Sequence, residues 1–356
     1  MTRQAVSSIE SNRYLPTTAV ALRLASVLSC RVEDLFSLAS INDSIEGTLI
    51  GHLPQTRDKI QPIRVKVSTV GKRTIVRPVI DLGAQFSFTV PADGYVTDGH
   101  GQLSGTTVRV TLSRDRMAIQ QEICVAGCDP AIFLAGEHLR RHKDRTTVVG
   151  WMMGSMAALQ SLQRGEVHVA GMHLFDPVSG ESNLPFLRQA LNKSRYEVVT
   201  FAMWEEGFLV RPGNPLSIRS AADLAEPSVT LVNREEGSGA RLLLDQRLRA
   251  AGVTHTQVRG YDRIVSTHFD VARAIAERHV DVGIGIRSAA QYFELDFVPL
   301  QAARYDLVVP KAYLKCHPAL MHLFDTLASR PFRKEIESLG GYDTSEMGKV
   351  QALRGG

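Results

Sequence analysis

The chain has 356 residues, of which 44% are hydrophobic, and a formal net charge of +4 at pH 7. This length accommodates two or three domains, and the mildly basic charge is compatible with a nucleic-acid partner. No apolar run reaches 18 residues and the start lacks the apolar segment of a signal peptide, so we expect a cytoplasmic protein without membrane association. The cysteines show no paired spacing, which predicts buried, reduced thiols.

The first 36 residues predict three short helices. Ala5, Val6 and Ile9 share one face of the first helix, which ends at the proline of "NRYLP". Thr17 or Thr18 is the expected cap of the second helix. The opposite face of the first helix carries polar side chains suited to phosphate and base-edge contacts. These residues are Arg3, Gln4, Ser7 and Ser8. A small helical bundle that only packs is the alternative interpretation.

A family resemblance favours DNA binding. The segment "RQAVSSIESNRYLPTTAVALRLASVLSCRVEDLF" resembles the second half of a Cro/repressor-type helix-turn-helix domain. The resemblance implies that residues 2–11 form the recognition helix, that the four polar residues named above face the major groove, and that a homodimer binds the DNA. The first two helices of this family would precede residue 1, so we expect either an upstream start or a truncated domain.

A linker and a β domain are expected next. The segment "INDSIEGTLIGHLPQTRDKI" mixes polar and turn residues, which predicts a linker over 41–60 after a helix-turn-helix part over 1–40. Residues 61–118 alternate apolar with polar residues between glycines, which predicts an antiparallel β unit of four to six strands. The stretches "VPADGYV" and "GTTVRVTL" are similar to the small β domain that ends molybdenum-cofactor biosynthesis molybdotransferases. We expect this unit to link or to pack.

The pattern changes at about residue 119, where short β-rich runs alternate with helical ones and predict parallel α/β units. The stretches "VVTFAMWEEGFLVRPGNPL" and "LDFVPLQAARYDLVVP" are long and extended. Two α/β lobes joined by two extended crossovers are typical of hinged binding proteins. We expect lobe one over about 119–203 and 302–345 and lobe two over about 204–301.

This region also resembles a known family. The segments "RGEVHVAGMHLFD", "NREEGSGARLLLDQRL" and "STHFDVARAIAERHVDVGIGI" resemble substrate-binding domains related to periplasmic molybdate-binding proteins, over roughly residues 120–340. The resemblance implies a periplasmic-binding-protein-like fold, a molybdate or tungstate ligand, and a frequent fusion behind a helix-turn-helix. The sequence departs from the pattern at Arg278-His279, and Ala303 stands where a glutamate is common. The second departure leaves room for a different ligand.

The strand-end loops predict where a ligand binds. In α/β lobes, ligands lie at the carboxyl ends of strands and against helix N-termini. A Gly-Ser helix opening occurs in each lobe, and its hydroxyl and N–H groups can donate to an oxyanion without any metal or catalytic chemistry. The predicted ligand-binding residues are Asp129, Gly154, Ser155, His173, Gly237, Ser238, Gly239, Arg241, Thr267 and His268. Each serine, taken singly, is more typical of an ordinary helix cap.

Other chemistries have weaker patterns. Neither serine lies in G-x-S-x-G, which excludes a hydrolase elbow. His138 and His142 have the i, i+4 spacing of a zinc pair, but a solvated helix face fits the segment better. Trp204 and Glu205 lie in the first crossover, where we expect hinge packing. We therefore predict no enzyme, no cofactor and no metal site.

Three functions are compatible with these patterns. The first is a one-component transcription regulator that senses a small ligand, with an oxyanion such as molybdate or tungstate as the leading candidate. The second is the solute-binding protein of a transporter. The third is an enzyme or accessory protein of molybdenum-cofactor metabolism. The order of the two resemblances favours the regulator, while the operator and the direction of regulation remain open.

Overall fold

The computed structural model describes residues 2–10, 14–36, 43–54, 61–97, 101–140, 146–192 and 195–353. The chain divides into two compact units, Met1–Ile45 and Glu46–Gly356. In the described part of the chain, no helix combines the length and apolar character of a membrane span.

The first unit contains the predicted helices. They are α1 (Arg3–Glu10), α2 (Thr18–Val27) and α3 (Val32–Leu35). On α1, the side chains of Arg3, Gln4 and Ser7 are exposed. Ser8 is half-buried, and its hydroxyl donates to the carbonyl of Gln4 at 2.9 Å. Ser11, the predicted end of this helix, lies outside the described residues.

The second unit begins with a closed barrel. Its strands are β1 (Ser44–Leu49), β2 (Ile63–Val70), β3 (Arg73–Pro78), β4 (Gly94–Val96) and β5 (Thr107–Leu112), in the order β1-β3-β2-β4-β5. A helix, α4 (Ala84–Thr89), connects the third strand to the fourth. The pairing of β1 with β3 is parallel, whereas β2 pairs antiparallel with β3 and β4, and β4 pairs antiparallel with β5.

The first barrel strand differs from the sequence expectation, because it lies in the predicted linker over 41–60. Three of its six residues are polar and a fourth is Gly47, a composition that resembles a loop in the sequence. The glycine has a packing reason, since a Cβ there would lie 2.7 Å from Cγ2 of Val76 on β3. The close approach of β3 therefore requires a glycine at position 47, and glycine is the residue that the sequence pattern assigns to a turn.

The remaining elements form the α/β region. Its strands are β6 (Ile123–Gly127), β7 (Val148–Met152), β8 (Val169–Met172), β9 (Phe175–Asp176), β10 (Glu181–Ser182), β11 (Tyr196–Val210), β12 (Asn233–Arg234), β13 (Ile264–Val265), β14 (Val282–Ile286), β15 (Asp296–Pro310), β16 (Tyr342–Asp343) and β17 (Val350–Gln351). Its helices are α5 (Arg116–Gln120), α6 (Leu134–Leu139), α7 (Ser155–Gln163), α8 (Leu184–Ala190), α9 (Gly239–Ala250), α10 (His268–Ala276), α11 (Arg287–Tyr292), α12 (Lys311–Cys316), α13 (Pro318–Ala328) and α14 (Arg330–Ser338).

One sheet runs through both lobes in the order β14-β11-β15-β8-β6-β7. Strands β11 and β15 are the two predicted crossovers, and they pair antiparallel from Tyr196 with Pro310 to Val210 with Asp296. The parallel strands β6, β7 and β8 belong to lobe one, and β14 belongs to lobe two. A register shift between Glu206 and Gly207 lies close to the predicted lobe boundary. Strands β16 and β17 also pair with β11, so the fold continues past the predicted end at 345.

The barrel shares a hydrophobic core with lobe one. One cluster of buried residues joins Val79 and Leu82, which follow β3, to Leu159 of α7. A second cluster contains residues of both lobes, and a third lies within lobe two. Because burying apolar surface is the main favourable term in folding, this shared core fixes the barrel against lobe one.

A buried network of charges crosses the same interface. Lys66 Nζ on β2 lies 2.6 Å from Asp93 Oδ1 and 3.3 Å from Glu122 Oε2, and Lys66 and Asp93 are 2% and 0% exposed. Arg114 contacts both carboxylates, and the second oxygen of Asp93 accepts from the N–H of Val67 at 2.9 Å. Each carboxylate therefore faces cations, as buried charges require.

His168 adds a neutral contact to this interface. Its Nδ1 accepts from the N–H of Cys124 at 3.0 Å, and its Nε2 donates to the carbonyl of Thr69 at 3.0 Å. Burial and the neighbouring ring of His317 lower the pKa of His168 to about 3. The imidazole is therefore neutral over the physiological range, with both nitrogens hydrogen-bonded.

Candidate functional site between the lobes

The structure brings the two predicted Gly-Ser helix openings together. A Cβ on Gly154, which precedes α7, would lie 3.1 Å from Cβ of Ser238, which precedes α9. The N–H of Met156 donates to the carbonyl of Gly237 at 3.2 Å, so lobe two caps the first turn of the lobe one helix. Gly237 has φ +79°, a conformation that favours glycine. The two lobes are therefore in direct contact at this point.

The hydroxyl groups at these openings bind protein atoms. Ser155 Oγ accepts from the N–H of His173 at 3.1 Å. Ser238 Oγ accepts from the N–H of Arg241 at 3.3 Å and donates to the carbonyl of Glu235 at 2.8 Å. Ser238 therefore has the ordinary cap geometry that the sequence left as the alternative, whereas Ser155 binds the backbone that follows β8. A ligand contact by either serine stays a prediction.

Two other predicted residues are held within lobe two. Thr267 Oγ1 accepts from the N–H of Asp270 at 2.9 Å and is therefore the N-cap of α10. The guanidinium of Arg241 lies 4.0 Å above the ring of Tyr261 and 3.4 Å from Asp245 Oδ2. Both side chains have these partners without a ligand, and their role in binding stays a prediction.

A buried cluster of polar and aromatic side chains surrounds His173, which follows β8. Its Nδ1 lies 3.2 Å from Cys128 Sγ, and its Nε2 lies 3.0 Å from Glu206 Oε1. Other rings pack around the imidazole. They belong to Trp204, His268 and Tyr305, with centroids 5.3, 5.3 and 6.2 Å away. The cluster thus combines the ends of β6 and β8, the crossovers β11 and β15, and the start of α10 in lobe two.

Glycine permits the close approach of lobe two to this cluster. A Cβ on Gly239, the first residue of α9, would lie 2.1 Å from the carbonyl oxygen of His173 and 2.6 Å from its ring. Any side chain at this position would hold the lobes apart. The predicted residue Gly239 therefore acts through packing.

The surroundings set the charges of the cluster. Burial alone would lower the pKa of His173, but Cys128 and Glu206 outweigh burial and raise it to about 10. Burial, together with Arg234 and His173, places the pKa of His268 well below its usual value. Burial raises the pKa of Asp129 to about 6, against hydrogen bonds from the N–H of Ala131 and the hydroxyl of Tyr342. A cationic and a neutral imidazole thus lie side by side.

Several buried polar atoms of the cluster lack a hydrogen-bond partner in the described part of the chain. They are Asp129 Oδ2, Trp204 Nε1, Arg234 Nη1 and both ring nitrogens of His268. Leaving such a group unpaired costs about 1–3 kcal/mol, and folded proteins contain few of them. These atoms come from both lobes and lie where the lobes meet.

The sequence predicted part of this cluster. Asp129, Ser155, His173 and His268 were expected at strand ends and helix starts, and the fold brings them together. Sequence reasoning missed the members without a glycine or helix-start signal. These are Cys128, Glu206, Arg234 and Tyr305. The position of Cys128 beside Asp129 at the end of β6 was the available signal.

The crossover and zinc-pair expectations have mixed outcomes. Trp204 packs as predicted, since it is buried against Tyr305 with centroids 4.8 Å apart, and it also belongs to the cluster around His173. It pairs in register with Ala303, the residue that departs from the family pattern. Glu205 contacts Arg287 at 2.5 Å. His138 contacts Glu335 instead of a second histidine, and His142 lies outside the described residues.

Comparison with known proteins identifies the class. Residues 136–328 match the family model of the PBP superfamily domain. The match spans more than half of the chain, and the chain therefore belongs to this family. It covers α/β elements of both lobes and begins well after the N-terminal helices. The relations to helix-turn-helix domains and to molybdate-binding proteins stay predictions.

Two curated relatives are similar in sequence. The uncharacterized protein YvgK of Bacillus subtilis (strain 168) is 31% identical over 228 residues, which cover 64% of this chain and 73% of that protein. An uncharacterized protein in the ferredoxin 2Fe-2S gene 5'region of Clostridium pasteurianum is 38% identical over 110 residues, which cover 31% of this chain and 96% of that protein.

Solved structures are similar at low identity. An ABC-type phosphate transport receptor from Vibrio cholerae is 15% identical with a TM-score of 0.42, covering 62% of this chain and 98% of that chain. The protein EhuB in complex with hydroxyectoine is 16% identical with a TM-score of 0.45, covering 64% of this chain and 93% of that chain.

Proposed function

We propose that this protein is a receptor that binds a small ligand between its two lobes. The observation that supports the proposal is the group of unpaired buried polar atoms at the lobe junction, to which both lobes contribute. A ligand that pairs with these atoms recovers the cost of burying them, and only the closed arrangement offers all of them at once. Binding would therefore stabilise the closed form.

The unpaired donors favour an anionic ligand. Arg234 Nη1 and Trp204 Nε1 can only donate, and the guanidinium is permanently charged. Arg234 Nη2 and Nε are already held by Ser266 and Glu235, which fixes the guanidinium in place. An oxyanion such as molybdate or tungstate is the class that the sequence predicts, and these donors are compatible with it.

Thermal unfolding with four anions tests this proposal. We expect molybdate or tungstate, but not sulfate or phosphate, to raise the melting temperature, because a ligand at 100 times its Kd stabilises the native state by about 2.7 kcal/mol. Arg234→Met should abolish the shift. Arg247→Met is the matched control, since Arg247 also lies in lobe two but donates to the carbonyl of Leu300 at 2.7 Å, and it should retain the shift.

Two other outcomes of this experiment would contradict the proposed site. An equal shift with all four anions would indicate nonspecific binding to a basic surface and contradict the proposed site. Loss of the shift in Arg247→Met but not in Arg234→Met would also contradict it. Ser155→Ala and Ser238→Ala test the predicted serine contacts, and Ser238→Ala should additionally cost about 1 kcal/mol of stability without ligand, because it removes the cap of α9.

A second candidate function is ligand-responsive DNA binding by a homodimer. The observation in its favour is that α1 exposes Arg3, Gln4 and Ser7 on one short helix. DNA duplexes that the protein selects from a random library should share a palindromic sequence, because a homodimer binds two half-sites. Arg3→Ala or Gln4→Ala should weaken binding to this sequence by about 1–3 kcal/mol. Arg23→Ala removes an exposed charge from α2 and is the control. Equal losses in Arg3→Ala and Arg23→Ala would contradict base recognition.

A further inference from the structure

We infer that Cys128, His173 and His268 form a transition-metal site at the lobe junction, for an ion of the Zn²⁺ or Co²⁺ type. The inference rests on the proposed function, because the ion would bind in the same place and would take part in holding the anion. It adds a metal to a site for which the sequence predicted none.

The three side chains have the required proximity. One donor atom of each lies within 4.8 Å of the others, and Cys128 Sγ is 3.2 Å from His173 Nδ1. Zinc–sulfur and zinc–nitrogen bonds in a tetrahedral site place the donor atoms roughly 3.3–3.6 Å apart. A displacement of roughly 1.2–1.5 Å by the most distant donor atom would therefore complete the coordination.

The third ligand joins the two lobes. Cys128 and His173 follow strands of lobe one, whereas His268 is the first residue of α10 in lobe two. The His268 side chain is fully buried, and neither of its nitrogens has a hydrogen-bond partner among the described residues. His168, by contrast, has hydrogen bonds at both ring nitrogens. A metal ion gives His268 its missing partner and ties lobe two to lobe one.

A carboxylate supports the second ligand. Glu206 Oε1 lies 3.0 Å from His173 Nε2, and Glu206 Oε2 accepts from Gln301 Nε2 at 3.1 Å. Metal-ligating histidines commonly donate their other ring N–H to a carboxylate, which orients the ring and strengthens the metal bond. This leaves Nδ1, the nitrogen that faces Cys128, for the ion. Glu206 is therefore a positioning residue.

The composition of the site selects the ion. One thiolate and two imidazoles favour zinc, cobalt or copper over magnesium and calcium, which prefer oxygen. The thiolate and the Glu206 carboxylate offset the charge of a divalent ion. Arg234 is ion-paired with Glu235 at 2.9 Å, which reduces its repulsion. Three protein ligands leave one tetrahedral position open for an exogenous ligand such as the proposed anion.

Cobalt spectroscopy tests the site directly, because Co²⁺ bound to a thiolate gives a charge-transfer band in the near ultraviolet and strong visible bands when four-coordinate. The full chain is stripped with EDTA, exchanged into metal-free buffer and titrated with Co²⁺, in a background with Cys30→Ser and Cys316→Ser that removes the thiols that are not buried. We expect one equivalent of Co²⁺ to saturate both bands, and Zn²⁺ to displace it.

Variants assign the ligands. Cys128→Ser should abolish the charge-transfer band, His268→Gln should weaken Co²⁺ binding, and Glu206→Gln should weaken it by about 10–100-fold. Cys124→Ser is the matched control, because Cys124 is a buried thiol on the same strand that contacts Ser68, at 2.9 Å, and not the cluster. It should retain the bands. Circular dichroism and urea unfolding establish that each variant is folded.

Three results would overturn the inference. They are the lack of a thiolate band in the parent, a band that persists in Cys128→Ser, and a band lost equally in Cys124→Ser. Oxyanion titration of Cys128→Ser in EDTA separates this inference from the proposed function. If the parent lacks the thiolate band and folded Cys128→Ser binds the anion but not Co²⁺, the inference of a metal site is wrong and the receptor proposal stands. If the parent binds neither anion nor metal, both are wrong.

Discussion

Two buried histidines in the same unit differ in what surrounds them. His168, at the interface between the barrel and lobe one, has both ring nitrogens hydrogen-bonded to backbone groups. His268, at the lobe junction, has neither nitrogen bonded within the described residues. Both are neutral because of burial. The difference teaches that a satisfied buried polar group maintains architecture, whereas an unsatisfied one costs stability that a ligand can restore by pairing with it.

The charged groups follow the same contrast. At the barrel interface, Lys66, Asp93, Arg114 and Glu122 contact one another. At the lobe junction, one guanidinium nitrogen of Arg234 has no partner among the described residues. Mutations at the barrel interface should therefore lower the free energy of unfolding without any ligand. Mutations at the lobe junction should lower it chiefly when a ligand is present.

The largest expected effect is at the barrel interface. Lys66→Met removes the central cation and leaves Asp93 and Glu122 close together with only Arg114 between them, so it should lower the free energy of unfolding by about 3–5 kcal/mol. Arg109→Ala is the control, because Arg109 pairs with Glu46 at 2.9 Å on the same barrel but the two side chains are 73% and 60% exposed. Its loss should cost under about 1 kcal/mol. Urea unfolding measures both, and equal losses would remove the contrast between buried and exposed pairs.

An intermediate effect is expected from matched histidine replacements. His168→Leu leaves the N–H of Cys124 and the carbonyl of Thr69 unpaired and should cost about 2–4 kcal/mol. His268→Leu removes two unpaired nitrogens and, in EDTA, should be neutral or stabilise the protein by about 1 kcal/mol. Chemical unfolding of both variants measures these two changes in the free energy of unfolding. If His268→Leu costs as much as His168→Leu, then His268 is a structural residue and the comparison fails.

A pH series gives the smallest of these effects. The pKa of His168 is about 3 in the folded chain and about 6.5 when unfolded, so the stability it contributes is present above pH 6.5 and is lost as the pH falls towards 3. Between pH 6.5 and 4.5 the loss is about 2 kcal/mol. His168→Gln can keep hydrogen-bonding groups at this position without titrating. Between pH 6.5 and 4.5, its free energy of unfolding should therefore fall by about 2 kcal/mol less than that of the parent.

The neighbours of His168 define the control for that series. His317, with its centroid 4.7 Å away, also has a pKa lowered by burial and changes stability in the same direction, while the ring of Tyr313 lies 5.7 Å away. The difference between parent and His168→Gln isolates the single group. Parallel pH profiles for the two proteins would show that His168 does not titrate as the structure indicates.

Local patterns predicted much of the fold but only part of the site. The three N-terminal helices, the alternating α/β elements and the two crossovers follow from hydrophobic periodicity, which is a local property. Strand β1 escaped detection because Gly47 and its polar neighbours look like a loop. Contacts such as Cys128 with His173, 45 residues apart, or Glu206 with His173, depend on how the lobes and crossovers meet, and no local spacing encodes them. The hydroxyls of Ser238 and Thr267 carried a helix-start signal that caps and ligand sites share.

Trp204 fluorescence tests the central claim, that the ligand binds at the lobe junction, most directly. The chain has two tryptophans, and Trp204 packs in the cluster whereas Trp151 lies under Arg77, 5.1 Å away, in lobe one. In Trp151→Phe, titration with Zn²⁺ and then with molybdate should change the emission of Trp204 saturably, at the concentrations that stabilise the protein. In Trp204→Phe, the remaining tryptophan should report no change. Binding detected by calorimetry without any response from Trp204, or with an equal response from Trp151, would contradict the account.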